Sequence, residues 1–258
     1  MSHIIGFAGK KQSGKNTICN YLVAMKLAEL QVSEKTKLGD DGKIYVSDIL
    51  GERKKDCEWV EFSSKNMNVE KIFQDFLGSY VRIYGLADTL KDMCIDVFGL
   101  TRAQVYGTDD DKNTKTHLRW EDTPTFTPAS LNLKRGEMTA REILQYMGTD
   151  ILRKLDDEIW IKSLLKKIDK DKPEVSLVCD IRFKNEIKAL QKYGGVVIGL
   201  TRGMDKTNDL HSSEKEVESS LEECDHVIDN REMSIEDQCK ETFEVIHKIN
   251  GFVLPNIL

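Results

Sequence analysis

The stretch from His3 to Leu30 constrains this chain more than any other. An apolar run, His3 to Ala8, leads into Gly9-Lys10-Lys11-Gln12-Ser13-Gly14-Lys15-Asn16-Thr17, and an amphipathic segment follows to about Leu30. The order reads as strand, glycine-bearing loop, helix. The loop fits the pattern G-x-x-x-x-G-K, which has a mechanical basis. Glycines let successive backbone N–H groups turn toward one anion, the lysine adds a point charge, and the helix aims its positive end at the same place. A chance glycine-rich turn would lack the strand before it and the helix after it. Gly9, Ser13, Gly14, Lys15 and Asn16 are therefore the candidate phosphate-binding residues. The strict pattern has Ser or Thr directly after the lysine to meet Mg²⁺; here Asn16 stands there, so Thr17 is the candidate metal-side hydroxyl.

The rest of the chain alternates short apolar runs with amphipathic segments. The first helix, Asn16 to about Leu30, is expected to bury Ile18, Tyr21, Leu22, Met25 and Ala28. Lys43 to Leu50 and Cys57 to Phe62 read as strands separated by the charged turn Gly51 to Asp56, which makes residues 31–65 a β-hairpin insertion. A short helix is expected over Val69 to Leu77, a core strand over Ser79 to Tyr84, and a helix from Leu86 ending at Gly99. Residues 101–138 hold a polar segment, Thr101 to Pro128, poor in periodicity, and read as a lid-like acceptor-site segment.

Thr139-Ala-Arg-Glu142 has capping-box spacing and opens a helix through Met147 that Gly148 stops. A longer helix capped by Thr149 or Asp150 is then expected to bury Leu152, Leu155, Ile159, Leu164 and Ile168. Val175 to Cys179 and Val196 to Leu200 are nearly continuous apolar runs, as strands covered on both faces read. Asn185 to Tyr193 is the helix between them. Ser213-x-x-Glu216 opens a further helix, His226 to Asp229 is a last strand, and Ile235 to Ile249 a closing helix. This pattern predicts one α/β domain over residues 1–258: a three-layer fold with a parallel sheet, plus the hairpin insertion and the lid-like segment.

Composition narrows the partners. The formal net charge is -6 over 258 residues, which argues against a protein that binds nucleic acid by neutralising phosphates. The six cysteines lie far apart with no C-x-x-C pair, so they read as reduced thiols of a cytoplasmic protein. No apolar run is long enough to span a bilayer, and no membrane association is expected.

Ligands of open parallel sheets bind beyond the carboxyl ends of the strands. The loop, Asp180 with Arg182, and Arg202 all fall at such ends. A kinase needs a second set of cations for its acceptor, and Lys11, Lys91, Lys112, Arg141 and Arg182 are the candidates. Lys91 and Arg141 read equally well as solvated surface charges, and Trp160 as core packing with base stacking the minority reading. His211 precedes Ser212-Ser213, where helix capping explains the serines.

The residues also carry a resemblance. Gly-Lys-x-Thr looks like the small-molecule branch of the P-loop kinases. The whole chain resembles the bacteriophage deoxynucleoside monophosphate kinases through Gly9 to Thr17, Leu86-Ala-Asp-Thr-Leu-Lys91, Leu100-Thr-Arg with Tyr106-Gly107 and Lys112, and Arg141-x-x-x-Gln145-x-x-Gly148-Thr-Asp150. It continues through Trp160, Asp180-x-Arg182-x-x-x-Glu186, His211-x-x-Glu214 and Asp225-x-Val-Ile-x-Asn230. The resemblance implies that Gly14, Lys15, Asn16 and Thr17 bind ATP. It implies that Lys11, Lys91, Lys112, Arg141, Gly148, Thr149, Trp160, Asp180, Arg182 and Glu186 surround the acceptor, and that Asn230 meets the adenine. Lys112 stands where an arginine is expected, and lysine lacks the planar fork. A homodimer is suggested by the resemblance alone.

The expectation is an ATP- and Mg²⁺-dependent kinase moving the γ-phosphoryl onto a deoxynucleoside monophosphate, with Lys15, Arg141, Arg182 and Asp180 as its catalytic residues. Two rivals stay open: another small-molecule kinase on this scaffold, of the phosphomevalonate or dephospho-coenzyme A kinase type, and a nucleotide-regulated binding protein. The preferred base, the contacts of the hairpin and the roles of His211 and Glu214 are not legible in the sequence.

Overall fold

A computed structural model describes residues 2–31, 33–49, 59–62, 77–124, 134–203 and 219–250. In chain order these form β1 (His3–Ala8), α1 (Lys15–Glu29), β2 (Ser33–Leu38), β3 (Ile44–Ile49), β4 (Val60–Phe62) and β5 (Val81–Tyr84). There follow α2 (Asp88–Asp96), α3 (Arg102–Tyr106), α4 (Asp109–Lys112), β6 (Lys115–Arg119), β7 (Glu137–Thr139), α5 (Ala140–Gln145) and a π-helical stretch, Tyr146–Leu152. The chain continues through α6 (Ile159–Asp171), β8 (Val175–Ile181), α7 (Lys184–Lys192), β9 (Val196–Leu200), β10 (His226–Ile228) and α8 (Ile235–Asn250). The expected helices at Val69 to Leu77 and after Ser213 lie outside the described residues, as do His211 and Glu214. The chain divides into two compact units, Met1–Gly85 with Leu165–Leu258, and Leu86–Leu164.

The first unit is built on a five-stranded sheet of order β10-β9-β1-β8-β5, with every pairing parallel. The apolar runs explain it: β1 is buried from Ile4 to Ala8 and β8 from Val175 to Val178, as strands with both faces covered must be. Ile5, Phe7, Leu177 and Ile198 from the sheet pack with Ile18 and Leu22 of α1 and Ile246 of α8. Full burial of one such side chain is worth roughly 1.5–3 kcal/mol.

Along α1 the buried residues are Ile18, Cys19, Leu22, Val23, Ala24 and Leu27. That differs from the expected stripe: Tyr21, Met25 and Ala28 are only half-buried. The helix packs against strands, against α8 and against β2, so more than one face is covered and a single 3.6-residue stripe does not describe it.

The hairpin insertion has one strand more than the sequence suggested. β2, β3 and β4 form a three-stranded antiparallel sheet, and the polar run Ser33–Leu38 supplies the extra strand. Its Lys37 and Lys35 face outward, where Lys37 Nζ lies 4.2 Å over the Trp59 ring. The inner face contributes Ile44, Val46 and Phe62 to the core of the unit.

In the second unit, the stretch read as aperiodic is folded. Thr101 and Thr108 each open a short helix with a complete capping box, α3 and α4, and β6 pairs antiparallel with β7. Helix α5 opens at Thr139 as expected. Gly148 does not stop it: the backbone continues as the π-helical stretch to Leu152, and the break comes at Asp156, whose backbone is extended. Leu155 consequently falls outside the expected apolar stripe and is 77% exposed.

Candidate active site

The loop after β1 has the geometry its sequence requires. Gly9 has φ 154°, Gln12 φ 64° and Gly14 φ 98°. A Cβ on Gly9 would meet the Leu200 carbonyl at 2.8 Å, and one on Gly14 would meet the Gln238 amide at 2.5 Å, so only glycine fits at either place. Gly14 caps α1, which leaves the first N–H groups of the helix pointing into the loop. Lys15 Nζ donates to the carbonyls of Gly9 at 2.7 Å and Lys10 at 2.5 Å, and reaches the Ser13 hydroxyl at 3.2 Å. The ammonium is thus held across the mouth of the loop. Ser13 is fully buried, whereas Lys11 and Asn16 are exposed.

Thr17 is half-buried on the third residue of α1. Its hydroxyl faces the hairpin turn, where a Cβ on Gly42 would stand 2.6 Å from it. Asn20, one turn on, donates to the Gly42 carbonyl at 3.1 Å. The insertion therefore seats beside the start of α1, a relation the sequence did not reveal.

The neighbouring strand end is shaped by a bulge. Gly6 is opposite Val178 but Ala8 is opposite Ile181, so Cys179 and Asp180 together face Phe7. Such an insertion re-aims the side chains around it, and here it sits immediately before the phosphate loop. Burial drives the Cys19 thiol well above its ordinary range; Cys179 and the charge of Asp180 push the same way, and Lys15 opposes them. Lys15 and Asp180 accordingly act on one buried thiol from the same neighbourhood.

After Asp180 the chain turns into α7. One oxygen of Glu186 accepts from the N–H groups of Arg182 at 2.9 Å and Phe183 at 3.1 Å. Glu186 is 2% exposed, so this carboxylate caps α7 and fixes the backbone that carries the exposed Arg182. The family resemblance placed Glu186 around the acceptor; its geometry gives it a bracing part.

Two residues at the far strand ends behave differently from expectation. Arg202 donates through Nε to the Asn230 carbonyl at 3.1 Å and through Nη2 to the Met233 carbonyl at 2.6 Å, so its guanidinium anchors a turn. Asn230 was expected to meet the adenine. Its side chain is fully buried, with Nδ2 donating to the Ser13 carbonyl at 2.8 Å and to Gln238 Oε1 at 2.5 Å, and Oδ1 accepting from the Arg202 N–H at 2.8 Å. In this structure the hydrogen-bonding groups of the side chain are committed to the protein. Gln238, likewise fully buried, was not singled out from sequence, because a lone Gln on a helix carries no motif.

The second unit gathers the other cations. Arg141 donates through Nε to Asn113 Oδ1 at 2.9 Å and through Nη2 to Asp109 Oδ1 at 2.7 Å, which places it beside α4, the helix bearing Lys112. Lys91 lies 4.7 Å over the Tyr106 ring and 3.4 Å from Asp88. Tyr106 donates to Asp92 at 2.7 Å, and burial with that carboxylate holds its phenol far above the ordinary range. Trp160 is 6% exposed and its indole N–H donates to the Gly148 carbonyl at 3.1 Å. The packing reading holds for Trp160; what it packs is the backbone of Gly148, next to the exposed Thr149.

A parallel sheet whose middle strand runs into a glycine-pinned anion loop with a lysine across its mouth defines the P-loop nucleotide-dependent enzymes. The profile of the deoxynucleotide monophosphate kinases matches residues 3–241, and the chain belongs to that family. A protein of Acanthamoeba polyphaga mimivirus, provisionally named a deoxynucleotide monophosphate kinase, is 32% identical over 149 residues, covering 52% of this chain and 67% of its own length. The deoxynucleoside-5'-monophosphate kinase of Escherichia phage T5 is 39% identical over 56 residues, 21% of this chain and 22% of its own. The family membership sets aside both rival readings, the other small-molecule kinases and the nucleotide-regulated binding protein. No helix among the described residues is long and apolar enough to cross a membrane.

Proposed function

We propose that the protein transfers the γ-phosphoryl of ATP to a deoxynucleoside 5′-monophosphate, giving ADP and a deoxynucleoside diphosphate. The observation that carries this reading is the phosphate loop: Gly14 in the left-handed region at the head of α1, with Lys15 Nζ 2.7 Å from the Gly9 carbonyl. The pinned glycines leave a concave backbone spanned by the Lys15 ammonium, which fits a polyphosphate. Gly9, Ser13, Gly14 and Asn16 line it, Lys15 neutralises the β and γ oxygens, and the Thr17 hydroxyl would hold Mg²⁺. The metal would supply positive charge against the phosphates when bound.

In the second unit Arg141, with Lys91 and Lys112, is assigned to the acceptor phosphate, and Gly148 and Thr149 to the acceptor nearby. In the first unit Asp180, Arg182 and Lys11 serve the transferring group, with Glu186 acting through Arg182. An acceptor oxygen bonds to the γ-phosphorus while the bond from that phosphorus to the β,γ-bridging oxygen breaks, and the electron pair leaves with ADP. A phosphate monoester has its second pKa near ~6, so the attacking oxygen is already ionised at neutral pH and no general base is needed. The protein's share is positioning and charge stabilisation. A homodimer, no nucleic-acid partner and a cytoplasmic setting complete the reading.

The test is ADP release from Mg-ATP with each of the four common deoxynucleoside monophosphates added in turn, beside Lys15→Ala. Stimulation by one or more acceptors, lost in the variant, is the expected result and also gives the base preference. A rate indifferent to every acceptor would sink the proposal.

A further inference from the structure

A phosphate loop works only if its N–H groups point inward, and something must hold them there. The peptide unit is planar and trans, so its C=O and N–H point in opposite directions. Whatever fixes the Ser13 carbonyl outward therefore fixes the Gly14 N–H inward. In this protein the fixing group is Asn230, 217 positions away in the sequence, whose Nδ2 donates to the Ser13 carbonyl at 2.8 Å.

The orientation of this amide is dictated by its partners. Nδ2 meets two acceptors, the Ser13 carbonyl and Gln238 Oε1, and Oδ1 meets a donor, the Arg202 N–H. Reversing the amide would set oxygen against carbonyl and N–H against N–H. Gln238 completes the bracket: it takes the second Asn230 hydrogen and its Nε2 lies 3.4 Å from the Gly14 carbonyl, which also accepts the first helical bond of α1 from Ile18. Both side chains are fully buried, so each bond is made away from competing water. The same contact explains why residue 14 has no side chain, since a Cβ there would strike the Gln238 amide.

We propose that Asn230 and Gln238 are positioning residues for the phosphate loop, aiming the Gly14 and Lys15 amides at the donor's phosphates from the opposite end of the chain. The proposal rests on the donor site described above and adds the residues that shape it. It couples the turn after β10 and the start of α8 to phosphate affinity, without either touching the nucleotide through these side chains.

The experiment uses the full chain and reads binding, fold and turnover separately. Asn230→Asp keeps the volume and the Arg202 contact but sets a carboxylate oxygen against the Ser13 carbonyl. Gln238→Met removes both the acceptor for Asn230 and the donor beside the Gly14 carbonyl. By calorimetry, Asn230→Asp is expected to weaken ADP at least about tenfold, the equivalent of one charged-group hydrogen bond. Gln238→Met is expected to weaken it several-fold, with KM for the acceptor unchanged throughout. Amide exchange at Gly14, followed by NMR, is expected to quicken in Asn230→Asp. Folded Asn230→Asp binding ADP as wild type does would overturn the proposal. If that variant does not fold, unaltered ADP affinity in Gln238→Met overturns it instead. A wild-type protein that binds neither ADP nor tripolyphosphate would defeat the kinase reading alone. The bracket would then stand or fall on whether Gly14 exchange quickens in Asn230→Asp.

Discussion

The indole N–H of Trp160 donates to the carbonyl of Gly148 at 3.1 Å, across 12 positions of sequence, within the second unit. That carbonyl belongs to the π-helical stretch, where i to i−5 bonds replace the regular i to i−4 ladder, and the indole gives it a partner from outside the stretch. Trp160→Phe keeps most of the packing and removes the donor. It is expected to cost about 1 kcal/mol, the net worth of one buried hydrogen bond, measurable by urea denaturation. Gly148→Ala is expected to destabilise by a similar amount for another reason, since its Cβ would stand 2.7 Å from a Leu90 methyl.

Glu186 offers a test that separates bracing from contact. Glu186→Gln retains an oxygen for the Arg182 and Phe183 N–H groups, and Glu186→Ala leaves both without it. The alanine variant is expected to lose about 1–2 kcal/mol, because a buried carboxylate at the third helical position that holds the N-cap N–H is removed, with the glutamine variant near wild type in the same melt. If Glu186 instead touched the acceptor through its charge, the glutamine variant would lose acceptor affinity as heavily as the alanine one.

Arg141 reaches two partners at once because its guanidinium is a rigid fork. Lysine at that position keeps the charge and loses the fork. Arg141→Lys is expected to raise KM for the deoxynucleoside monophosphate about tenfold while KM for ATP stays put, the signature of an acceptor-side residue. Equal rises for both substrates would remove Arg141 from that role.

Buried thiols make alkaline pH destabilising. Burial pushes Cys94 up to about 11 and both Cys224 and Cys239 up to about 12, against an ordinary value of 9.0. In the folded state these groups keep their protons over a range where the unfolded chain has released them. Their contribution is therefore complete below pH 9.0 and is lost as pH rises through about 11 to 12. The melting temperature is expected to fall across that window, and alkylation of Cys94 and Cys239 at pH 8, followed by mass spectrometry, is expected to be slow until the protein is unfolded.

Regular, apolar parts of the fold were legible in the sequence. β1, β9, β10 and the extents of α1, α7 and α8 fall within a residue or two of their expected positions, because burial on both faces or strong periodicity leaves little choice. Elements built on local polar bonds were not. β2 is a polar run that becomes a strand only by pairing with β3, and α3 and α4 are too short to show a period, although their threonine caps were a signal open to notice. The helix break fell at Asp156 and not at Gly148, because Gly148 is there to let Leu90 approach, which no local rule encodes.

The sequence by itself determined the phosphate loop, its place after a buried parallel strand and the family to which the chain is similar, since each rests on adjacent residues and on patterns a few positions long. The tertiary structure decided what surrounds that loop. The bulge sets Cys179 and Asp180 opposite Phe7, the hairpin turn rests beside Thr17, and Asn230 donates to the Ser13 carbonyl of the loop. These relations join residues tens to hundreds of positions apart. Their energy comes from burying polar groups with their partners, and which groups become partners is fixed only when the strands have taken their order in the sheet.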